Sequence, residues 1–120
     1  MFLPEARRLQ VFAHLAPVDM RKQRYGLAAL AQNVLAQDPC GGALFIFVGR
    51  GRDKLNILYW NRNGWALWYK VIEGKEKFFW PRRCESPSIE LSMDQLQWLL
   101  EGYDIWKMKP HRMLHFTQIS

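Results

Sequence analysis

The feature that most constrains the fold is a pair of strand-like runs on either side of the turn sequence Asn61-Arg62-Asn63-Gly64. Residues 54–60 and 65–71 are rich in aromatic and large aliphatic side chains, which fit a pleated, half-buried surface. Asn-Gly is the strongest short-range signal for the turn of a β-hairpin. The sequence therefore predicts an antiparallel hairpin here, and a domain built around a sheet.

The register of this hairpin decides which side chains share a face. A two-residue loop at Asn63-Gly64 would place Lys70 beside Ile57 and mix charge into both faces. A three-residue loop gives one wholly apolar face, so we predict that register. The apolar face would carry Leu55, Ile57, Tyr59, Trp65, Leu67, Tyr69 and Val71. The other face would carry Lys54, Asn56, Leu58, Trp60, Ala66, Trp68 and Lys70, with Trp60 close to Trp68.

Periodicity outside the hairpin predicts further strands and two helices. Residues 8–15 alternate as a first strand, residues 26–37 have apolar side chains at helical spacing, and residues 43–48 form an apolar strand. A further strand is predicted at 77–81, and a short apolar segment at 89–91 precedes the second helix. Ser92 and Gln95 form the capping box of that helix. Its predicted buried stripe is Leu96, Leu99, Leu100 and Tyr103.

Together these elements predict one α+β domain over residues 1–120. Its core would span about residues 8–106, with an antiparallel sheet of about five strands, a helix after the first strand and a C-terminal helix. The tail, residues 107–120, is expected to be loosely ordered. A chain of 120 residues with 49% hydrophobic residues is large enough for a packed core.

Composition also bears on where the protein works. Its apolar runs are far shorter than the ~20 residues of a membrane-spanning helix, and the N-terminus does not have the order of a signal peptide. Cys40 and Cys84 are distant in sequence and form no C-x-x-C pair. We therefore expect a cytoplasmic protein in a reducing compartment, without a membrane partner.

The net charge of +6 is concentrated in the middle third of the chain. Residues 50–83 contain nine basic and three acidic residues, giving +6, whereas residues 1–49 carry +2 and residues 84–120 carry −2. A localised basic field is a better indicator of nucleic-acid binding than a diffuse one.

Motifs for catalysis or for metal binding are not compelling. His111 and His115 have the spacing of one helical turn but no third ligand with a matching position. The cysteines have no histidine nearby in sequence, and the glycines at 49 and 51 do not complete a phosphate-binding motif. Asp19 and Asp53 are the first acids to suspect in metal-dependent chemistry, yet a capping or turn role explains each. We expect no enzymatic activity, metal or cofactor.

The basic third of the chain has two kinds of side chain that suit nucleic acid: arginines in turns, which reach phosphates, and tryptophans, which stack on unpaired bases. Burial beneath a helix is the alternative for the tryptophans. A second basic pair follows Asp19, which is expected to cap the first helix and leave the pair pointing outward; an ordinary solvated surface is the alternative there. The predicted nucleic-acid-binding residues are Arg21, Lys22, Arg50, Arg52, Lys54, Trp60, Arg62, Trp68 and Lys70.

Several motifs in order resemble one bacterial family. They are Asp19-Met20-Arg21-Lys22, Gly26-Leu27-Ala28-Ala29-Leu30, Gly42-Ala43-Leu44-Phe45-Ile46-Phe47, Leu58-Tyr59-Trp60, Leu67-Trp68-Tyr69-Lys70, Trp80-Pro81 and Leu99-Leu100-Glu101-Gly102. From about residue 11 to residue 104 the chain is similar to the TnpB (Orf2-like) accessory proteins of insertion-sequence family 66, which are distinct from the RNA-guided nucleases that share the TnpB name. Ala16, Tyr25 and Asn61 depart from the family pattern.

The resemblance implies a small protein needed alongside a separately encoded transposase, with no established catalytic residues to carry over. We therefore expect a non-enzymatic transposition accessory protein that binds DNA, with the element ends as its hypothetical target. The alternative is an adaptor that docks on the transposase through an exposed aromatic surface without touching DNA. Oligomeric state and DNA strandedness stay open at this point.

Overall fold

The computed structural model describes residues 10–33, 35–81 and 86–107. In this part of the chain the elements are β1 (Val11–Val18), α1 (Arg24–Asn33), β2 (Leu44–Gly49), β3 (Lys54–Asn61), β4 (Gly64–Val71), β5 (Ser88–Leu91), α2 (Met93–Glu101) and a 3-10 turn at Ile105–Lys107. The strands form one sheet in the order β4-β3-β2-β1-β5. The predicted α+β class, with about five strands and two helices, is confirmed.

One pairing in this sheet is parallel. β1 pairs with β2 in parallel, whereas the other three pairings are antiparallel. A parallel pair needs a crossover connection, and α1 supplies it. β1 also ends later than predicted, continuing through Ala16 and Pro17 after an irregularity that follows His14. Because β1 and β2 run parallel, their carboxyl ends meet at the same edge of the sheet.

Both faces of the central strands β1, β2 and β3 are largely buried, each beneath different elements. The α1 face includes Phe12, Phe45, Phe47 and Leu58, packed against the helix residues Leu27 and Ala31 and against Leu35, which follows the helix. Leu27 and Ala31 are four positions apart, which places them on one side of α1. The opposite face, here the α2 face, includes Val11, Ala13, Ile46, Leu55 and Ile57, packed against Phe78, Trp80, Leu96, Leu99 and Ile105. The sheet is therefore a central layer with apolar residues on both sides.

The predicted register of the β3–β4 hairpin is wrong. Asn61 pairs with Gly64 across a two-residue loop, and Ile57 pairs with Trp68. The prediction assumed that only one face of the hairpin would be apolar. Because α1 and α2 cover opposite faces, the hairpin has no need of a single apolar face, and Leu58 pairs with Leu67 on the α1 face. Trp60 and Trp68 therefore lie on opposite faces, not side by side.

The strand predicted at residues 77–81 is also wrong, although the alternation behind it is real. Phe78 and Trp80 are buried and Phe79 is exposed, but the segment joins no ladder among the described residues. It lies over the α2 face, where the indole Nε1 of Trp80 donates to the carbonyl oxygen of Leu15 at 2.8 Å. The Trp80 ring also meets Trp106 edge-on, at a centroid distance of 5.0 Å. The alternation therefore serves as a cover for the sheet.

The second helix begins as predicted. The Ser92 hydroxyl accepts from the backbone N–H of Gln95 and the Gln95 side chain accepts from that of Ser92, which completes the capping box. Leu96 and Leu99 are buried and Leu100 is half-buried. Tyr103 is exposed, against the prediction, because the helix ends at Gly102 in the left-handed conformation, with φ 102°.

Several sequence-based expectations lie outside the described residues. His111, His115 and the tail beyond Lys107 are among them, as is the N-terminal part of the predicted first strand. Within the described ranges, no helix combines the length and apolar character needed to cross a membrane.

Candidate nucleic-acid interface

The loops that follow β1 and β2 lie side by side at the carboxyl edge of the parallel pair. Between them is an open cleft of about 440 Å³. Its lining comes from two distant parts of the sequence: Val18, Asp19, Met20 and Arg21 from the first loop, and Gly49, Arg50, Gly51, Asp53 and Lys54 from the second. The structure thus brings together the two basic groups that the sequence keeps about thirty residues apart.

Asp19 organises the first loop, but not as a helix cap. Its Oδ1 accepts from the backbone N–H of Arg21 at 2.9 Å, and its Oδ2 lies 2.6 Å from Nη2 of the same arginine. Helix α1 begins only at Arg24, so the predicted capping role is wrong. The side-chain and backbone hydrogen bonds from Arg21, with a further contribution from the charge of Arg50, hold the pKa of Asp19 well below its ordinary range. Asp19 therefore holds the guanidinium of Arg21 beside its own carboxylate, at the lining of the cleft.

The second loop is a tight turn closed by the backbone. Arg52 adopts a left-handed conformation, with φ 61°, and its N–H donates to the carbonyl oxygen of Gly49 at 2.9 Å. A left-handed arginine is uncommon, so tertiary contacts must stabilise it. The carbonyl of Arg52 accepts from the backbone N–H of Phe78 at 2.8 Å. Arg52 Nε is buried and has no partner among the described residues.

A close approach beneath the cleft joins the two loops. A Cβ added at Gly49 would lie 2.6 Å from Cγ and 3.2 Å from Sδ of Met20. Real Cβ atoms do not come so near, so only glycine lets Met20 lie across the end of β2. This contact adds to the backbone pairing of Val18 with Gly49 in holding the Arg21 loop beside the Arg50 loop.

A third segment adds a lysine that the sequence reasoning missed. Lys77 Nζ donates to the carbonyl oxygen of Gly51 at 2.8 Å. We call the resulting surface the basic edge; it comprises Arg21, Lys22, Arg50, Arg52, Lys54 and Lys77. Against these six cations stand Asp19 and Asp53, which leaves a formal charge of +4. Of the nine predicted binding residues, the structure brings five to this edge.

Tyr25 is a second residue that the sequence reasoning did not select. It lies in the first turn of α1, close in sequence to Arg21, and 70% of its surface is exposed. The guanidinium carbon of Arg24 lies 4.9 Å from the centre of its ring. An exposed aromatic beside a cationic cluster was a usable signal, since stacking and charge commonly occur together in nucleic-acid sites.

Arg62 and Trp60 lie at the opposite end of the sheet. Arg62 is at the tip of the hairpin with φ 62°, where Asn63 N–H donates to the carbonyl oxygen of Asn61 at 2.7 Å. Trp60 meets Trp65 edge-on, with ring centroids 5.0 Å apart. We call Trp60, Arg62 and Trp65 the hairpin tip. Seven residue steps along β3 separate it from the basic edge, or about 23 Å.

Trp68 and Lys70 belong to neither place. Both line a groove of about 240 Å³ between β4 and α2, together with Leu96 and Leu100. Lys70 Nζ donates to the carbonyl oxygen of Leu100 at 2.7 Å, in the last turn of α2. A cation at a helix C-terminus is stabilising. The structure therefore gives Lys70 a role in holding the helix, and gives Trp68 a half-buried position beside it.

Asp19 and Asp53, the two acids that the sequence singled out, do line the same cleft. Asp19 is bonded to Arg21, which competes with a cation for its oxygens. Within residues 10–33, 35–81 and 86–107, histidine, cysteine and acidic side chains form no group of three that would suit a metal ion. The chemistry of the cleft is that of several cations presented to solvent.

The chain matches one protein-family model and is similar to two bacterial proteins. The sequence model of IS66 Orf2-like proteins matches residues 9–110. Two proteins of Sinorhizobium fredii, "Uncharacterized protein y4jC" and "Uncharacterized protein y4hO", are similar to the chain. The first is 30% identical over 96% of this chain and 97% of its own length. The second is 33% identical over 88% of this chain and 89% of its own length. No solved structure matches the chain.

Proposed function

The chain belongs to the IS66 Orf2-like family, which supports an accessory role in transposition, and from this premise we propose that it binds DNA through the basic edge. It would do so in the cytoplasm, without catalysis, in support of a separately encoded transposase. The element ends are the DNA that such a role would require. The observation that carries the proposal is the meeting of Arg21 with Arg50 and Lys54 at one cleft. Lys22 and Arg52 belong to the same two loops, next to these lining residues in sequence.

The geometry suits contact with phosphates. Arg21, Lys22 and Arg50 are exposed, so their charged groups can reach a backbone without displacing the core. Phosphate contacts supply essentially all of non-specific affinity and are sensitive to salt. The half-buried Lys54 contributes charge from the side of the cleft. Binding would therefore be mainly electrostatic, with Tyr25 as an exposed aromatic side chain on α1.

The test is the salt dependence of DNA affinity. Fluorescence anisotropy with labelled duplex and single-stranded DNA, measured from low to physiological salt, should give a linear fall of log K with log salt. About three or four phosphate contacts would give a slope near −3 for duplex DNA. A protein that shows no salt-dependent binding to either form at low ionic strength would refute the proposal.

Support of the transposase is a separate part of the proposal. The exposed cations of the basic edge are assigned to DNA, so the transposase would contact another surface. Pull-down of the transposase of the same element should then survive neutralisation of Arg50. Loss of pull-down with that variant, in the absence of nucleic acid, would argue that the basic edge binds protein.

A further inference from the structure

Within the described residues, the outer side of β4 is a strand edge without a pairing partner. β4 is the last strand on its side of the sheet, and among the described residues no strand pairs with its outer edge. Edge strands are usually guarded by proline, bulges or inward-pointing charges, because their free N–H and C=O groups pair readily with other strands. β4 runs for eight residues in regular register with β3 and contains no proline. Its edge is open to strand addition.

The backbone groups that face outward can be identified. Ile72 N–H donates to the carbonyl oxygen of Asp53 at 2.8 Å, which extends the β3–β4 register beyond Val71. In an antiparallel ladder, alternate residues direct both backbone groups to the same neighbour. Even-numbered residues of β4 therefore bond to β3, and odd-numbered ones direct their N–H and C=O groups to the free edge. These are Trp65, Leu67, Tyr69 and Val71.

The side chains of β4 are complementary to a second, antiparallel copy of the same strand. On the α2 face, the first half of the strand has small residues, Gly64 and Ala66, and the second half has large ones, Trp68 and Lys70. A pairing centred on Leu67 would set Ala66 beside Trp68 of the second copy, and Gly64 beside Lys70. Each large side chain then meets a small one. On the other face Trp65 would meet Tyr69 of the second copy.

Charge permits the same pairing. Lys70 is the only charged residue of β4, and its ammonium group is bound to α2. In the pairing centred on Leu67 it would lie opposite a glycine. Two chains of net charge +6 repel each other over most approaches, but this edge brings no like charges together. Leu67 and Tyr69 expose 38% and 50% of their surface, which the pairing would cover.

We propose that β4 pairs with β4 of a second copy of this chain, antiparallel and centred on Leu67, to form a homodimer with a continuous ten-stranded sheet. The central rung would join Leu67 to Leu67 through two backbone hydrogen bonds, flanked by two rungs that join Trp65 and Tyr69. The proposal is independent of DNA binding, since it uses none of the residues of the basic edge.

Sedimentation velocity of the full chain over a wide concentration range tests the dimer. We expect a species with the mass of two chains instead of one chain of 14.3 kDa. Leu67→Lys should raise the dissociation constant by about 10-fold or more, because the register sets each new lysine directly opposite its copy. Ile89→Lys is the matched control, since Ile89 is exposed to 44% on β5, the strand at the other edge of the sheet. It should leave the dimer unchanged.

Disulfide crosslinking tests the register. Residues in a hydrogen-bonded antiparallel pair have Cα atoms about 5.5 Å apart, within disulfide range. Leu67→Cys should therefore crosslink to its copy under mild oxidation, beyond any background from the parent chain. Tyr69→Cys should not, because its copies would lie about 13 Å apart along the strands. If Leu67→Lys is too unstable to purify, the crosslinking experiment still tests the proposed dimer.

Three results would overturn the proposal. A chain that sediments as a monomer at all concentrations does not dimerise, and the outer edge of β4 would then not pair with a second copy. A dimer that Leu67→Lys leaves intact, or that Ile89→Lys weakens equally, uses a different surface. A dimer in which Tyr69→Cys crosslinks and Leu67→Cys does not has a different register.

Discussion

The hairpin tip and part of the basic edge lie within one continuous stretch of sequence, residues 50–65, yet the two surfaces differ in what holds them. The basic edge is assembled from three segments, joined by the contact of Met20 with Gly49 and by the bond from Lys77 to Gly51. The hairpin tip is local: its turn and its tryptophan pair involve only residues 60–65. The first is a product of tertiary structure and the second of a single hairpin.

This difference shows why neighbours in sequence need not share a site. The length of β3 carries Arg62 away from Arg50, whereas the parallel pairing of β1 with β2 brings Arg21 towards it. Only the basic edge gathers cations from separate parts of the chain. We therefore assign DNA contact to the basic edge, and expect charge changes at the two ends to have unequal effects.

The largest expected effect comes from neutralising the basic edge. Lys22→Gln combined with Arg50→Gln removes two exposed cations and should weaken binding to duplex DNA by on the order of 10- to 100-fold at low salt. The slope of log K against log salt should become shallower by about 1.8, since each phosphate contact contributes about 0.9. Fluorescence anisotropy across a salt series measures both quantities.

Arg62→Gln is the control at the other end. It removes an exposed cation from the hairpin tip and lowers the net charge in the same sense. We expect its salt slope to match that of the unmodified chain within the effect of net charge. If Arg62→Gln reduced DNA affinity as much, per charge removed, as the variant of the basic edge does, the two ends would not differ in DNA contact.

A pair of glycine variants sharpens the comparison through stability. Gly49→Ala places a Cβ against Met20 and should cost about 1–3 kcal/mol of unfolding free energy, as overpacking does. Gly64→Ala at the hairpin tip meets nothing within 4 Å and has no positive φ. It should change stability by about 0.5 kcal/mol or less, or stabilise slightly. Urea denaturation followed by far-ultraviolet circular dichroism measures both.

The glycine pair also has a binding readout. Because the Met20 contact helps to hold the two loops together, Gly49→Ala should reduce DNA affinity even under conditions in which it is fully folded. Unchanged affinity in a folded Gly49→Ala protein would mean that loop spacing does not matter for DNA contact.

The smallest effect concerns the acid within the basic edge. NMR titration of the Asp19 carboxyl should give a midpoint well below the ordinary value of about 3.9, and Arg21→Gln should return it towards that value. Since the pKa is lower in the folded state, the pair stabilises the fold above the unfolded-state pKa, and this contribution is lost as pH falls. A midpoint unmoved by Arg21→Gln would assign the shift to another cause.

Local signals gave the parts of the fold that depend on neighbours in sequence. The capping box at Ser92 and the existence of the β3–β4 hairpin follow from residue types a few positions apart. The hairpin register did not follow, because it places Arg62 at positive φ where the pattern favours glycine or asparagine. It also depends on both faces of the sheet being covered, which no local pattern specifies.

The sequence predicted most of the residues of the candidate site, but not how the fold brings them together. Charge density identified Arg21, Lys22, Arg50, Arg52 and Lys54 as cations without an evident core role. Their assembly depends on a parallel pairing across a helical crossover, and Lys77 joins through a hydrogen bond to a loop 26 positions away. Lys70 resembled them in sequence, but its bond to Leu100 gives it a place on α2.

The most direct test of the central claim is an ¹H–¹⁵N correlation spectrum recorded while a short DNA duplex is added at low salt. We expect the backbone amides of residues 19–22 and 50–54 to shift most, with those of residues 60–65 nearly unchanged. The largest shifts at residues 60–65, with the amides of both cleft loops unmoved, would contradict the account.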